Sequence, residues 1–293
     1  MDKGNKKILL VTLALVTALL LGMMGYLYGP MLFQKQEPVI VVPDEVVDDT
    51  AYPEYRKLWD DNHAINEDYV GEVIFDSGLI SLPFVQAKST YKPNGEMYKF
   101  YTEDGRLVTD PTGYTGNNVY IWTYWKTGEY DYNDNGGSVF MDYRNELDDQ
   151  NIIIYGHHFS VWNDETRSKA FTPLELLLEE ENYKENSLVT LVLEHEIRHY
   201  VLVSVYQFNA FDERHTEELQ YYRTDYSYND YTDTVDPDYY DNYIRVMSEV
   251  EEYHTGVKLL NTDRTLTLQT CVSGHTGELF EILVLKQLNV EKY

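Results

Sequence analysis

Thr265-Leu266-Thr267-Leu268-Gln269-Thr270-Cys271 alternates polar and apolar side chains over seven residues, the pattern of a half-buried β-strand. It ends on the only cysteine among 293 residues. A lone thiol cannot form an internal disulfide or a cysteine-based zinc cage. Upstream, Asn151-Ile152-Ile153-Ile154-Tyr155 reads as a second strand that runs through Gly156 into His157. A single cysteine with a distant histidine at a strand end is the arrangement expected of a cysteine nucleophile and its base. The competing reading of Cys271 is a small buried hydrophobe, which most lone cysteines are.

Outward from these two segments, β-like runs cover residues 73–75, 79–86, 138–142, 188–194, 200–208 and 281–288. They are short and separated by Gly, Asn and Asp turn chemistry, which predicts a mainly β fold, an antiparallel barrel or sandwich. Residues 52–65 read as one or two helical turns, with Tyr55, Leu58, Trp59 and Asn62 at helical spacing. Thr172-Pro173-Leu174-Glu175 combines an N-cap, a first-position proline and a capping-box glutamate, and predicts a helix running towards Glu181. Tyr243, Val246, Met247, Val250 and Tyr253 fall on one helical face that ends near Gly256. Residues 87–120 and 221–243 are elaborations. The second interleaves tyrosines with aspartates, which could supply oxygen ligands to calcium, though no run matches an EF-hand loop; it reads first as a solvated acidic loop, with a metal site and a docking surface as alternatives.

The first residues set a location. Residues 1–7 carry Lys3, Lys6 and Lys7, and residues 8–28 are apolar and uncharged. About 20 such residues at a rise of about 1.5 Å span a bilayer core of roughly 30 Å. The preceding lysines predict a cytoplasmic N-terminus and a single membrane anchor, longer than the core of a cleaved signal peptide. Residues 29–51 read as a linker, and 52–293 as one domain outside the membrane, large enough to bury a core without a disulfide. The net charge of −27 excludes nucleic acid as a partner gripped by bulk electrostatics.

Tyr155-Gly156-His157, Thr267-Leu268-Gln269-Thr270-Cys271 and Phe140-Met141-Asp142-Tyr143-Arg144-Asn145 resemble the signature blocks of sortases. The last block and Asp263-Arg264-Thr265-Leu266-Thr267-Leu268 resemble class B in particular. The resemblance runs from about Tyr52 to Leu288, and includes Asn66-Glu67-Asp68-Tyr69-Val70-Gly71 and Leu82-Pro83-Phe84-Val85-Gln86. It implies a closed sortase β-barrel with an N-terminal helix and a helix-containing insertion before the cysteine strand. It implies Cys271 as nucleophile and His157 as acid/base. It further implies an extracellular transpeptidase that cuts a sorting signal after threonine and needs neither cofactor nor metal. The substrate would be a surface protein or pilin with a C-terminal sorting signal, and the acceptor a peptidoglycan precursor or a pilin lysine, in a Gram-positive cell.

One family element is missing. Sortases carry an arginine near the start of the strand after the cysteine, to hold substrate and oxyanion. Aligning the Ile282-Leu283-Val284-Leu285-Lys286 run puts Phe280 at that position, with Glu281 next. Neither can donate to an oxyanion. Arg264 and Lys286 lie too far along their strands, and Arg144 sits in a block that is more often structural. His275, in the loop after Cys271, is the nearest substitute, and backbone amides after Cys271 could add to it. His158, beside His157, is a second histidine in the motif. Two alternatives follow: a non-catalytic sortase-like binding or scaffold protein, and a thiol hydrolase that passes the thioester to water.

Overall fold

In a computed structural model the Thr265–Cys271 strand is a central stave of a closed eight-stranded barrel. The described residues are 52–131, 136–159, 169–209, 237–272 and 279–293, with the side chains of 237–239 excepted. All lie in one compact unit, Val47–Tyr293. The proposed cytoplasmic residues 1–7, the anchor 8–28 and the linker 29–51 fall outside the described residues. Among those described, no helix is long and apolar enough to cross a membrane.

The chain enters through helix α1 (Tyr52–Ile65) and strands β1 (Tyr69–Phe75) and β2 (Ser81–Val85). A long excursion containing the one-turn helix α2 (Asn117–Tyr120) leads to β3 (Val139–Met141) and β4 (Asn151–Tyr155). Two 3-10 turns precede β5 (Leu188–Val192) and β6 (Glu196–Asn209). Helix α3 (Pro237–Val250) then leads to β7 (Thr265–Cys271) and β8 (Leu279–Lys292). The order around the barrel is β1-β2-β3-β4-β7-β8-β6-β5, closed by antiparallel β5–β1 pairing, so no sheet edge is left for aggregation.

The alternation of β7 does what its pattern predicts. Leu266 and Leu268 are fully buried on one face, while Thr265 and Thr267 lie on the other. There the Tyr240 hydroxyl of α3 meets Thr265 (3.1 Å), and Thr267 donates to Asn151 Oδ1 (2.9 Å). Tyr240, Tyr243, Val246 and Met247 of α3 pack with Tyr206, Phe208, Ile282 and Val284 on this outer surface. The amphipathic stripe of α3 therefore buries its apolar face against β6 and β8, as its spacing predicts. The helix stops at Val250, short of the expected Gly256. The Glu252 amide donates instead to Val205 O of β6 (2.8 Å), so a strand carbonyl takes the chain out of the helix.

The segment from Thr172 departs further from expectation. It forms a 3-10 helix, Thr172–Leu178, with no side-chain cap. The Thr172 hydroxyl accepts from the Phe159 amide (3.1 Å), and Glu175 bonds His158 (3.0 Å) instead of closing a capping box. Long-range partners have taken both capping groups. Helix α1 fills the whole 52–65 stretch as 14 continuous residues, longer than the one or two turns expected; its buried Trp59 donates Nε1–H to Val70 O (3.1 Å) and pins α1 to β1.

Candidate active site

β4 and β7 are parallel neighbours, with Tyr155 opposite Gln269. Gly156 N donates to Gln269 O (3.1 Å), and Thr270 Oγ1 donates to Gly156 O (2.8 Å), which carries the pairing past the end of β4. His157 lies two residues beyond Tyr155, and Cys271 two beyond Gln269. Equal offsets on parallel strands roughly 4.8 Å apart bring the two to the same end of the barrel. Gly156 permits this: a Cβ there would lie 2.6 Å from the ring of Phe171, which is fully buried. Gly156→Ala is therefore expected to cost about 1–3 kcal/mol in denaturant unfolding as Phe171 is displaced. Stability equal to the parent would show that the ring yields freely.

The Phe140–Asn145 block clasps the far side of β4. Asp142, fully buried, accepts from Tyr155 Oη (2.9 Å), Asn117 Nδ2 (3.0 Å) and the Arg144 guanidinium (2.8 Å from both Nε and Nη2). These bonds, Arg144 above all, outweigh burial and hold its carboxyl below the usual range. The Ile153 amide donates to Asn145 Oδ1 (2.8 Å). Arg144 is thus committed to Asp142.

His157 is held from above by a segment that the sequence reading had no reason to place there. Its ring stacks on Trp122, centroids 4.8 Å apart, and Nε2 bonds the Ile121 carbonyl at 2.7 Å. A carbonyl only accepts, so Nε2 carries the proton and Nδ1 is left as the basic nitrogen of the neutral ring. Burial holds the imidazole pKa below its ordinary value, and the bond to Ile121 opposes that. The aromatic run 120–125 was the only sequence signal for this contact, and it lies outside the family blocks.

His158 points the other way. Its side chain is 2% exposed and meets Glu175, with Nδ1 unpartnered among the described residues. His158→Ala is expected to lower stability by about 1–3 kcal/mol through loss of the part-buried bond to Glu175. Stability equal to the parent would overturn that assignment.

Cys271 is partly exposed and lies directly opposite Phe280 of β8. Opposed residues share a face, with Cβ atoms about 5 Å apart. Phe280 in turn lies opposite Phe208 of β6 and packs against the α3 cluster. An aromatic ring therefore stands where the family arginine is expected. Glu281 pairs with Thr270 and faces the opposite side, so it does not confront the thiol. It is 1% exposed, Oε1 has no partner among the described residues, and burial, then Glu175 and Glu252, pushes its pKa up to about 8. Gln269, on the Cys271 face, keeps its amide oxygen unpartnered among the described residues.

The other cations are committed elsewhere. Arg264 donates to Asp148 O (2.8 Å), and Lys286 pairs with Asp263 (2.7 Å). The Val272 amide, the first after Cys271, donates to Leu279 O (2.9 Å), which removes it as an oxyanion donor. His275 lies outside the described residues, as does most of the acidic tyrosine segment. Among the described residues no cluster of His, Cys, Asp and Glu could hold a metal ion.

The closed eight-stranded barrel with this strand order matches the fold of solved sortase B structures. By sequence and fold the chain is sortase B-like. It is 27% identical over 154 residues to Sortase B of Staphylococcus aureus, which is 52% of this chain and 54% of that relative. The match thus spans about half the relative's length. Clostridium perfringens sortase B superposes with a TM-score of 0.55 at 23% identity, over 78% of this chain and 99% of that one. A Staphylococcus aureus sortase B–substrate complex gives 0.57 at 20%, over 82% and 89%. A Bacillus anthracis protein described as similar to sortase B gives 0.52 at 20%, over 84% and 99%. Comparison with protein-family profiles finds no match.

Proposed function

We propose that this chain is a membrane-anchored, extracellular cysteine transpeptidase of the sortase type. What supports the reading is the parallel pairing of β4 with β7, Tyr155 opposite Gln269, which leaves His157 and Cys271 each two residues past a paired position, together with the bond of His157 Nε2 to Ile121 O. In this reading Nδ1 takes the Cys271 proton and the thiolate attacks the amide carbon of a sorting signal. His157 returns the proton to the departing amine nitrogen as the C–N bond breaks, leaving a thioester on Cys271. An acceptor amine from a peptidoglycan precursor or pilin lysine then attacks, giving its proton to Nδ1, and the C–S bond breaks to regenerate the thiolate. Residues 8–28 serve as the anchor.

The test is intact mass of the full chain in detergent after incubation with peptides carrying Thr-Gly and Thr-Asn scissile bonds. An acyl adduct that dissolves when an amine is added supports transpeptidation; an adduct resolved equally by water supports the hydrolase. No adduct with any peptide supports a non-catalytic binding protein, the reading that Phe280 favours. Phe280→Arg is expected to leave adduct formation unchanged or faster, because the guanidinium would share the Cys271 face. A large loss would mean that the site is built around the ring.

A further inference from the structure

The excursion between β2 and β3 encloses a cavity of about 290 Å³ that the proposed chemistry does not use. Lys92, Lys99 and Lys126 line it with a single carboxylate, Glu96. That is an inversion of the chain as a whole, in which 50 acidic residues face 23 basic ones. Lys99 is committed to Glu129. Lys92 and Lys126 lie over the rings of Tyr98 (5.7 Å) and Trp125 (5.1 Å), and neither has an ion-pair partner among the described residues. Such ammonium groups are held by their stems against aromatic walls and remain available to an anion.

The floor is preformed. Tyr98 and Tyr120 both donate to Asp68 Oδ2 (2.5 and 2.6 Å), and Asn66 Nδ2 bonds Tyr120 Oη (2.9 Å) and Trp125 O (2.8 Å). The floor's polar groups are satisfied among themselves, which leaves recognition to the lysines. Burial, with Glu67 adding to it, raises the Asp68 pKa, while its bonds to Tyr120 and Tyr98 oppose the rise. At the mouth Ile65 and Met97 are 52% and 45% exposed, an apolar lip beside the cationic lining. A cavity of this size with few convergent charges and aromatic walls has the make-up of a small-ligand site.

We infer that this cavity binds a small oxyanion-bearing ligand, a phosphate ester or carboxylate with a short apolar stem, held by Lys92 and Lys126. Its wall, which includes Val119, Tyr120, Thr123 and Trp125, continues into Ile121 and Trp122, the residues that hold His157. The site therefore shares a structural element with the candidate acid/base.

The test is calorimetric titration of the full chain with phenyl phosphate and, separately, phenylpropionate. Saturable binding of either is expected, and which one binds identifies the anion. Lys92→Glu with Lys126→Glu should weaken it by about 100-fold, from the loss of two charge-assisted contacts. Lys92→Gln with Lys126→Gln, which adds no repulsion, should still weaken it by about tenfold or more. The exposed pair Lys184→Glu with Lys258→Glu changes net charge equally and should leave affinity unchanged. Neither probe binding, or equal loss in the control pair, overturns the inference. The readout needs no turnover, so it stands or falls separately from the transpeptidase reading.

Discussion

Glu281→Gln is expected to remove most of a loss of stability that develops between pH 4.5 and 8. The parent carboxyl ionises near pH 8 in the fold, against 4.5 for the ordinary group. Below pH 4.5 it is neutral in both folded and unfolded chains and carries no penalty. Between 4.5 and 8 the unfolded chain releases the proton while the folded one keeps it, so stability falls as pH rises. Above 8 both are ionised and the penalty is constant. At about 1.4 kcal/mol per pH unit, that window is worth up to roughly 5 kcal/mol. Glutamine has the same length and no charge, so the variant should match the parent near pH 4 and exceed it by several kcal/mol at pH 9. Urea unfolding at the two values measures this. Parallel pH dependence in both proteins would mean that the carboxyl is reached by water or a partner.

Cys271→Ala is expected to abolish the acyl adduct, and His157→Ala to slow its formation by about 10²–10⁴-fold, the usual worth of a positioned acid/base. The two should differ in character. Without the thiol no covalent bond can form, whereas without the imidazole the residual thiolate still reacts, faster as pH approaches the thiol's own range near 8.5. Adduct formation by Cys271→Ala would move the nucleophile elsewhere. A His157→Ala rate equal to the parent at neutral pH would remove the histidine from the proton transfer.

The missing arginine bears on how this site would handle an oxyanion. Phe280 shares the Cys271 face and cannot donate, and the Val272 amide is spent on Leu279 O. A lost donor of this kind typically costs about 3–4 kcal/mol of transition-state stabilisation. The Phe280→Arg variant therefore measures whether this chain lacks that contribution.

Much of this molecule is legible in one dimension. Alternation in 265–271, the helical spacing of 52–65 and the turn residues between short apolar runs follow from period and local chemistry, which a sequence displays directly. A mainly β fold, barrel or sandwich, was legible for that reason; the closed barrel, the roles of His157 and Cys271 and the arginine position at Phe280 came from the sortase resemblance, and the pairing of Phe280 with Cys271 came from the structure. Four features needed the tertiary structure. His158 turns towards Glu175, and Thr172 trades its cap for the Phe159 amide, because partners distant in sequence outbid local ones. Ile121 and Trp122 reach His157 across 36 and 35 residues of chain, through an excursion with no period to read. Glu281 differs from Phe280 by one position, yet a period of two sends one into a dry interior and the other to the thiol. Its raised pKa comes from burial and from Glu175 and Glu252, which only folding brings within reach.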